Sequence, residues 1–209
     1  MNLSELTQKF NAGDIDSKWQ LAFYYLQNPT PEFSEKDALK LCRTEAKKGH
    51  WQFHVILGWW YFVPDPKKAI LWLQEPARQG DVWSQIKLGL LYSSENHPIQ
   101  DYKAAYWLQR AADQGEPRAQ SLLGTLYRRG QGVVKDIRTS LKWYHLAAEQ
   151  GDECAQGFLG ILYGGGYEVA QNLDESLKWH RLSAAQGNEI SIKVLQELEF
   201  PANTDQKPF

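Results

Sequence analysis

Large apolar, small and aromatic residues recur along the chain in a fixed order. A large apolar residue is followed by a small one, with an aromatic three places further on: Leu57-Gly58-x-x-Tyr61, Leu88-Gly89-x-x-Tyr92, Leu123-Gly124-x-x-Tyr127 and Leu159-Gly160-x-x-Tyr163, with the weaker form Leu21-Ala22-x-x-Tyr25 ahead of them. A glycine inside a helix costs about 1 kcal/mol relative to alanine, so its recurrence predicts a neighbouring helix backbone packed against it. Later in each period stands a second apolar anchor, Leu41, Trp72, Trp107, Trp143 or Trp179, with small residues one turn on, as in Ala111-Ala112 and Ala147-Ala148. Seven residues before each anchor lie Ser34, Asp65, Gln100, Asp136 and Asn172. All but Gln100 are good N-caps, so a second helix is predicted to start there.

The periods are separated by a glycine followed by a polar residue: Gly13-Asp14, Gly49-His50, Gly80-Asp81, Gly115-Glu116, Gly151-Asp152 and Gly187-Asn188, at intervals of 31 to 36 residues. Glycine supplies the left-handed conformation past a helix end, and Asp or Asn caps the next helix. Each period therefore reads as helix A, loop, helix B and a glycine turn. One such hairpin cannot bury its apolar face alone, whereas stacked hairpins can. The expected fold is all-α: a right-handed superhelical α/α solenoid, a single body over 1–199. It would consist of an N-terminal capping helix in 1–13, five hairpins over 14–187 and a C-terminal capping helix in 188–199, followed by a flexible tail, 200–209.

These motifs resemble the Sel-1-like repeat, a relative of the tetratricopeptide repeat. The fourth period carries the pattern almost throughout: Ala119, Leu123-Gly124-x-x-Tyr127, Gly130-Gln131-Gly132-Val133, Asp136, Trp143-Tyr144, Ala147-Ala148 and Gly151. The third has lost its loop glycines, the second is shortened to Phe62-Val63-Pro64-Asp65-Pro66, and the first diverges most. The resemblance spans residues 14–187 and implies a protein-binding scaffold whose A helices line a concave groove. By likeness to tetratricopeptide repeats, groove positions lie two before, two after and five after each Leu of the first motif. They give Trp19, Phe23 and Leu26, then Val55, Trp59 and Phe62, then Ile86, Leu90 and Ser93 with Trp83 one turn before Ile86, then Ser121, Thr125 and Arg128, and in the fifth Gln156 or a neighbour, Ile161 and Gly164. The groove is expected to be aromatic at its N-terminal end and polar and basic at the other. Half-exposed, the five rings Trp19, Phe23, Trp59, Phe62 and Trp83 would form a patch of about 500 Å². Helix A of the second repeat is apolar nearly all round, so burial as core, or a homodimer covering these rings, fits the same pattern.

Composition narrows the function. Lys plus Arg number 23 against 25 Asp plus Glu, for a net charge of −2, without the basic surplus of a nucleic-acid binder. The local cluster Arg128, Arg129, Lys135, Arg138 and Lys142 reads as a solvated face. Cys42 and Cys154 are too far apart in sequence for a zinc or redox motif. No signal peptide or membrane span is legible, so the expected location is the cytoplasm. Of five histidines, only His50 and His54 share a helix face, and no third ligand follows them. The glycine loops 130–132 and 164–166 follow no strand and occupy a place the repeat already explains. The expectation is therefore a non-enzymatic adaptor without metal or cofactor, binding a protein partner and neither nucleic acid nor membrane. Two alternatives stand beside it: a bacterial immunity protein neutralising a toxic effector, and a self-assembling structural protein.

Overall fold

The computed structural model describes residues 3–93, 101–166 and 168–199. All regular structure among them is helical. The chain forms two compact units, Met1–Leu91 and Tyr92–Phe209. The first contains α1 (Leu3–Asn11), α2 (Ile15–Gln27), α3 (Glu35–Lys47), α4 (Trp51–Tyr61), α5 (Pro66–Arg78) and α6 (Val82–Tyr92), whose last residue passes the boundary. The second contains α7 (Asp101–Asp113), α8 (Pro117–Arg129), α9 (Ile137–Glu149), α10 (Glu153–Gly165), α11 (Leu173–Ala185) and α12 (Glu189–Glu199). Within the units each helix A packs on its own helix B: α2 on α3, α4 on α5, α8 on α9 and α10 on α11. Helix α1 packs on α2, and α12 on α11. Gln100 and the tail 200–209 lie outside the described residues.

The punctuation works as the sequence implies. The six turn glycines, from Gly13 to Gly187, all have φ between +88° and +102°, a region costly for any residue with a Cβ. After them Asp14, Asp81, Asp152 and Asn188 accept from the amides of Ser17, Ser84, Ala155 and Ser191 at 2.7–2.9 Å. At the B helices, Ser34 and Asp37 close a reciprocal capping box, while Asp65, Asp136 and Asn172 cap α5, α9 and α11. His50 and Glu116 precede their helices without a side-chain cap.

The mid-helix glycines differ from expectation. A side chain, not a helix backbone, fills most of the space above them: Leu73 over Gly58, Tyr144 over Gly124 and His180 over Gly160. Each of these is the residue just after the tryptophan anchor, and each is fully buried. Helix B thus turns this position, one on from the tryptophan, into the interface with helix A. Gly124 illustrates the constraint, since a Cβ there would sit 2.9 Å from Tyr144 Cδ1 and 3.2 Å from the Ser140 carbonyl. Gly124→Ala should therefore lower unfolding free energy by about 2 kcal/mol despite its better helix propensity, as read by urea denaturation; an unchanged midpoint would show that the interface yields at no cost.

A second packing device was not anticipated. Gln85, Gln120 and Gln156, each three residues before the Leu of the first motif, are buried. They donate to the carbonyls of Ala77, Ala112 and Ala148 at 2.9, 3.3 and 3.1 Å. These carbonyls lie in the last turn of the preceding helix B and also accept the amides of the turn glycines Gly80, Gly115 and Gly151, so each glutamine adds a second donor and ties the next helix A to that turn. In the second unit Gln150 and Gln186, just past α9 and α11, donate to Gln120 and Gln156 at 2.9 Å. Lys18 and His54 hold the corresponding places in the first two repeats. Lys18 instead approaches the buried carboxylate of Glu45 at 3.6 Å, alongside Lys48 at 2.8 Å and His50 at 3.0 Å.

His180 gives the fold a pH dependence. Burial over Gly160 pulls its pKa below the ordinary 6.5, so the unfolded chain binds the proton more readily than the folded one. Stability is complete above about pH 6.5 and falls as the pH drops from there towards the folded pKa. His180→Leu installs the residue type found at this place in repeats two and three (Leu73, Leu108). It should flatten the fall in Tm between neutral and mildly acidic pH; an unaltered slope would place the titration elsewhere, His54 being the other histidine whose pKa burial lowers.

Candidate partner-binding site

The A helices of the first unit carry an aromatic ladder. On α2, Trp19 and Phe23 stand one turn apart with rings parallel, 5.9 Å between centroids and 5° between planes. Phe23 meets Trp59 of α4 at 5.2 Å and 57°, and Trp59 meets Trp60 at 6.2 Å. The Trp19 indole N–H donates to the Gln52 carbonyl at 3.1 Å, which ties α2 to α4. Helix α4 is held under this face by Phe53, Ile56 and Leu57, which enter a core with Leu26, Leu39 and Cys42 against which Trp19, Phe23 and Trp60 pack. Its apolar circumference therefore divides between core and surface, and Trp59 remains 39% exposed.

Beyond Trp59 the ladder opens into a cavity of about 540 Å³, walled by Trp59, Trp60, Phe62, Val63, Pro64, Trp83 and Lys87. The shortened turn from Phe62 to Pro66 brings Val63 to the rim, 83% exposed. On α6, Trp83 and Lys87 lie one turn apart. The Lys87 ammonium stands 4.7 Å from the Phe62 ring centre and 5.3 Å from that of Trp83, within cation–π range of both. Among the described residues no carboxylate pairs with it.

Of the residues singled out from sequence, Trp19, Phe23 and Trp59 form the ladder, and Trp59, Phe62 and Trp83 wall the cavity. Val55, Ile86 and Leu90 are half-buried on α4 and α6 and do not line it. Leu26, Ser121 and Gln156 are core. Thr125 and Arg128 belong to the second unit. The Thr125 hydroxyl is shared between the Ser121 carbonyl, 3.2 Å, and the Tyr144 hydroxyl, 3.0 Å. Arg128 Nε donates to Glu168 at 2.6 Å, and Lys135 approaches the same carboxylate at 3.4 Å; the bond from Arg128 holds that carboxyl below its usual range. The expected basic end is thus partly neutralised from within. Sequence reading missed Trp60, Val63, Pro64 and Lys87. Only Lys87 carried a signal, its place one turn after Trp83.

The remaining reactive types are accounted for by packing. Burial pushes the Cys42 thiol up to about 12, so it is no thiolate nucleophile near neutrality. His50 contacts Glu45, and His54 lies edge-on to Trp72 at 5.4 Å. Among the described residues no group of three His, Cys, Asp or Glu side chains is placed to hold a metal, and no helix is long and apolar enough to cross a membrane.

The family model of the Sel1 repeat matches residues 57–81, 84–116, 117–152 and 155–188. Among solved structures, a protective antigen of uropathogenic Escherichia coli with an SLR fold is 27% identical with a TM-score of 0.83, over 96% of this chain and 44% of that one. The chain thus spans less than half the length of that antigen. A Sel1 repeat protein from Oxalobacter formigenes is 24% identical with a TM-score of 0.74, over 93% of this chain and 86% of that one. An immunity protein from Pseudomonas aeruginosa is 23% identical with a TM-score of 0.54, over 91% and 70%. No curated protein sequence matches. Sel1 repeats commonly mediate protein–protein interaction and are generally non-catalytic. With four matched repeats over more than half its length, and helical hairpins in both units, the chain belongs to the Sel1 repeat family.

Proposed function

We propose that the chain is a non-catalytic adaptor that captures a segment of a partner protein on the A-helix face of its first unit, with Trp59, Phe62 and Trp83 as anchors. The observation that carries this is the cavity of about 540 Å³ with aromatic walls and an exposed tryptophan at its edge. Isolated apolar side chains are ordinary on a surface, whereas a continuous aromatic face with a concavity is the form binding sites take. Buried tryptophans are frequent hot spots, each costing about 2 kcal/mol or more on truncation. Trp59→Ala with Trp83→Ala should therefore weaken capture at least about a hundredfold. Affinity purification with tagged wild type and double variant, each shown folded by circular dichroism, measures this. A folded double variant that retains every partner would remove the assignment.

A toxic effector is one member of the class of partners considered. The likeness to the Pseudomonas immunity proteins is one of fold. Rescue of a cell expressing a neighbouring toxin gene by co-expression of this chain would narrow the partner to that member. A light-scattering mass that stays at one chain at every concentration would exclude self-assembly as the role.

A further inference from the structure

Resting on that reading, we infer that the cavity selects a segment in which an acidic side chain lies beside a bulky apolar one, with Lys87 taking the carboxylate and the Trp59–Phe62–Trp83 walls taking the apolar group. Lys87 is the cation in the cavity wall, half-buried and held over two rings at 4.7 and 5.3 Å. The aromatic faces replace part of its water without neutralising it. Three surface cations of this unit are paired, Lys68 with Asp65 at 2.7 Å, Arg78 with Glu75 at 3.5 Å and Lys48 with Glu45 at 2.8 Å, and what sets Lys87 apart from the unpaired ones is its seat over two rings in the cavity wall. Among the described residues Lys87 has no anion of its own.

The nature of the occupant follows from what each class would cost. A wholly apolar segment filling the cavity would strip the remaining water from Lys87 and leave a charge without a counter-charge, a strongly unfavourable state. A basic segment would set like charges together in a site of reduced dielectric. An acidic group forms a charge-assisted hydrogen bond with the ammonium while its apolar neighbour covers the rings. The chain's overall charge of −2 gives acidic partners no general attraction, so the preference is local to Lys87. A nucleic-acid phosphate is poorly served, because such ligands need several cations along a backbone.

The test is selection of random displayed peptides on immobilised full-length protein, followed by affinity measurement on the enriched sequences. Enriched peptides are expected to carry Asp or Glu within a few residues of Trp, Phe or Leu. An acidic peptide should bind Lys87→Gln about tenfold more weakly than wild type. Its Asn or Gln counterpart should lose the same factor on wild type and little more on the variant, the signature of direct coupling. Lys87→Glu should shift enrichment towards Lys and Arg. Enrichment of acid-free peptides that still require Trp59 and Trp83, or the absence of coupling in the cycle, would overturn the acidic preference and leave the adaptor reading standing. Failure to enrich any peptide sensitive to Trp59→Ala and Trp83→Ala would overturn both.

Discussion

Phe53→Ala is expected to lower the stability of the first unit by about 4 kcal/mol and, with it, to weaken partner capture without altering a residue of the site. Phe53 is fully buried on α4, in a core with Leu26, Leu39, Cys42, Ile56 and Leu57. Truncating a buried phenylalanine removes its transfer free energy and leaves a cavity, a loss of about 3–5 kcal/mol. A domain of ordinary stability holds about 5–15 kcal/mol in all. Phe53 lies about 120° around α4 from Trp59, in the core beneath the ladder, so the ladder keeps its geometry only while that core holds α4 in place. Hydrogen exchange of α3 and α4 amides should accelerate in the variant, and capture should fall in proportion to the population opened. Capture unchanged in a variant with a disordered α4 would separate the site from this helix.

Tyr144→Ala should have an effect of similar size in the second unit, again about 4 kcal/mol. Tyr144 is fully buried over Gly124, its ring 5.2 Å from that of Phe158 and its hydroxyl 3.0 Å from Thr125 Oγ1. Leu73, Leu108 and His180 fill the equivalent places in other repeats, so the site demands volume more than a particular chemistry. Tyr144→Phe keeps the volume and loses one buried hydrogen bond, worth about 1 kcal/mol. Urea denaturation should therefore rank wild type, Tyr144→Phe and Tyr144→Ala in that order, with the larger step at the second substitution. Equal steps would mean that the hydroxyl holds α8 to α9 as strongly as the ring does. Below denaturing conditions Tyr144→Ala should retain capture, because the ladder and cavity lie in residues 19–87.

The units of the repeat were legible because each is fixed by local chemistry. A turn glycine with positive φ, an Asp or Ser whose side chain reaches an amide three residues on and a proline at the first helical position each act within a few residues, and all leave their mark in the sequence. What packs against what depends on side-chain direction. Gly124 needed space, but whether a backbone or the ring of Tyr144 would take it depends on where helix B points the residue after its tryptophan. The buried glutamines 85, 120 and 156 look like surface residues in composition; only their repetition at one place in the period distinguishes them. In the candidate site the aromatic positions were readable from the period, since α2, α4 and α6 present them at helical spacing. The pairing of Arg128 was not, because its partner Glu168 lies forty residues away, in the stretch between α10 and α11. Lys87 escaped notice because a lone lysine on a helix is usually a solvated side chain. Its meaning came from the two rings beneath it.

The claim that capture occurs on the aromatic face of the first unit is tested most directly by placing a photo-crosslinking amino acid at Val63, on the cavity rim, and at Leu182, which is 45% exposed on α11. Irradiation in native lysate followed by mass analysis should give adducts to a second protein at position 63 that are suppressed by an excess of a selected peptide, and none at 182. Adducts at 182 alone, or a product at 63 with twice the mass of this chain, would contradict the account.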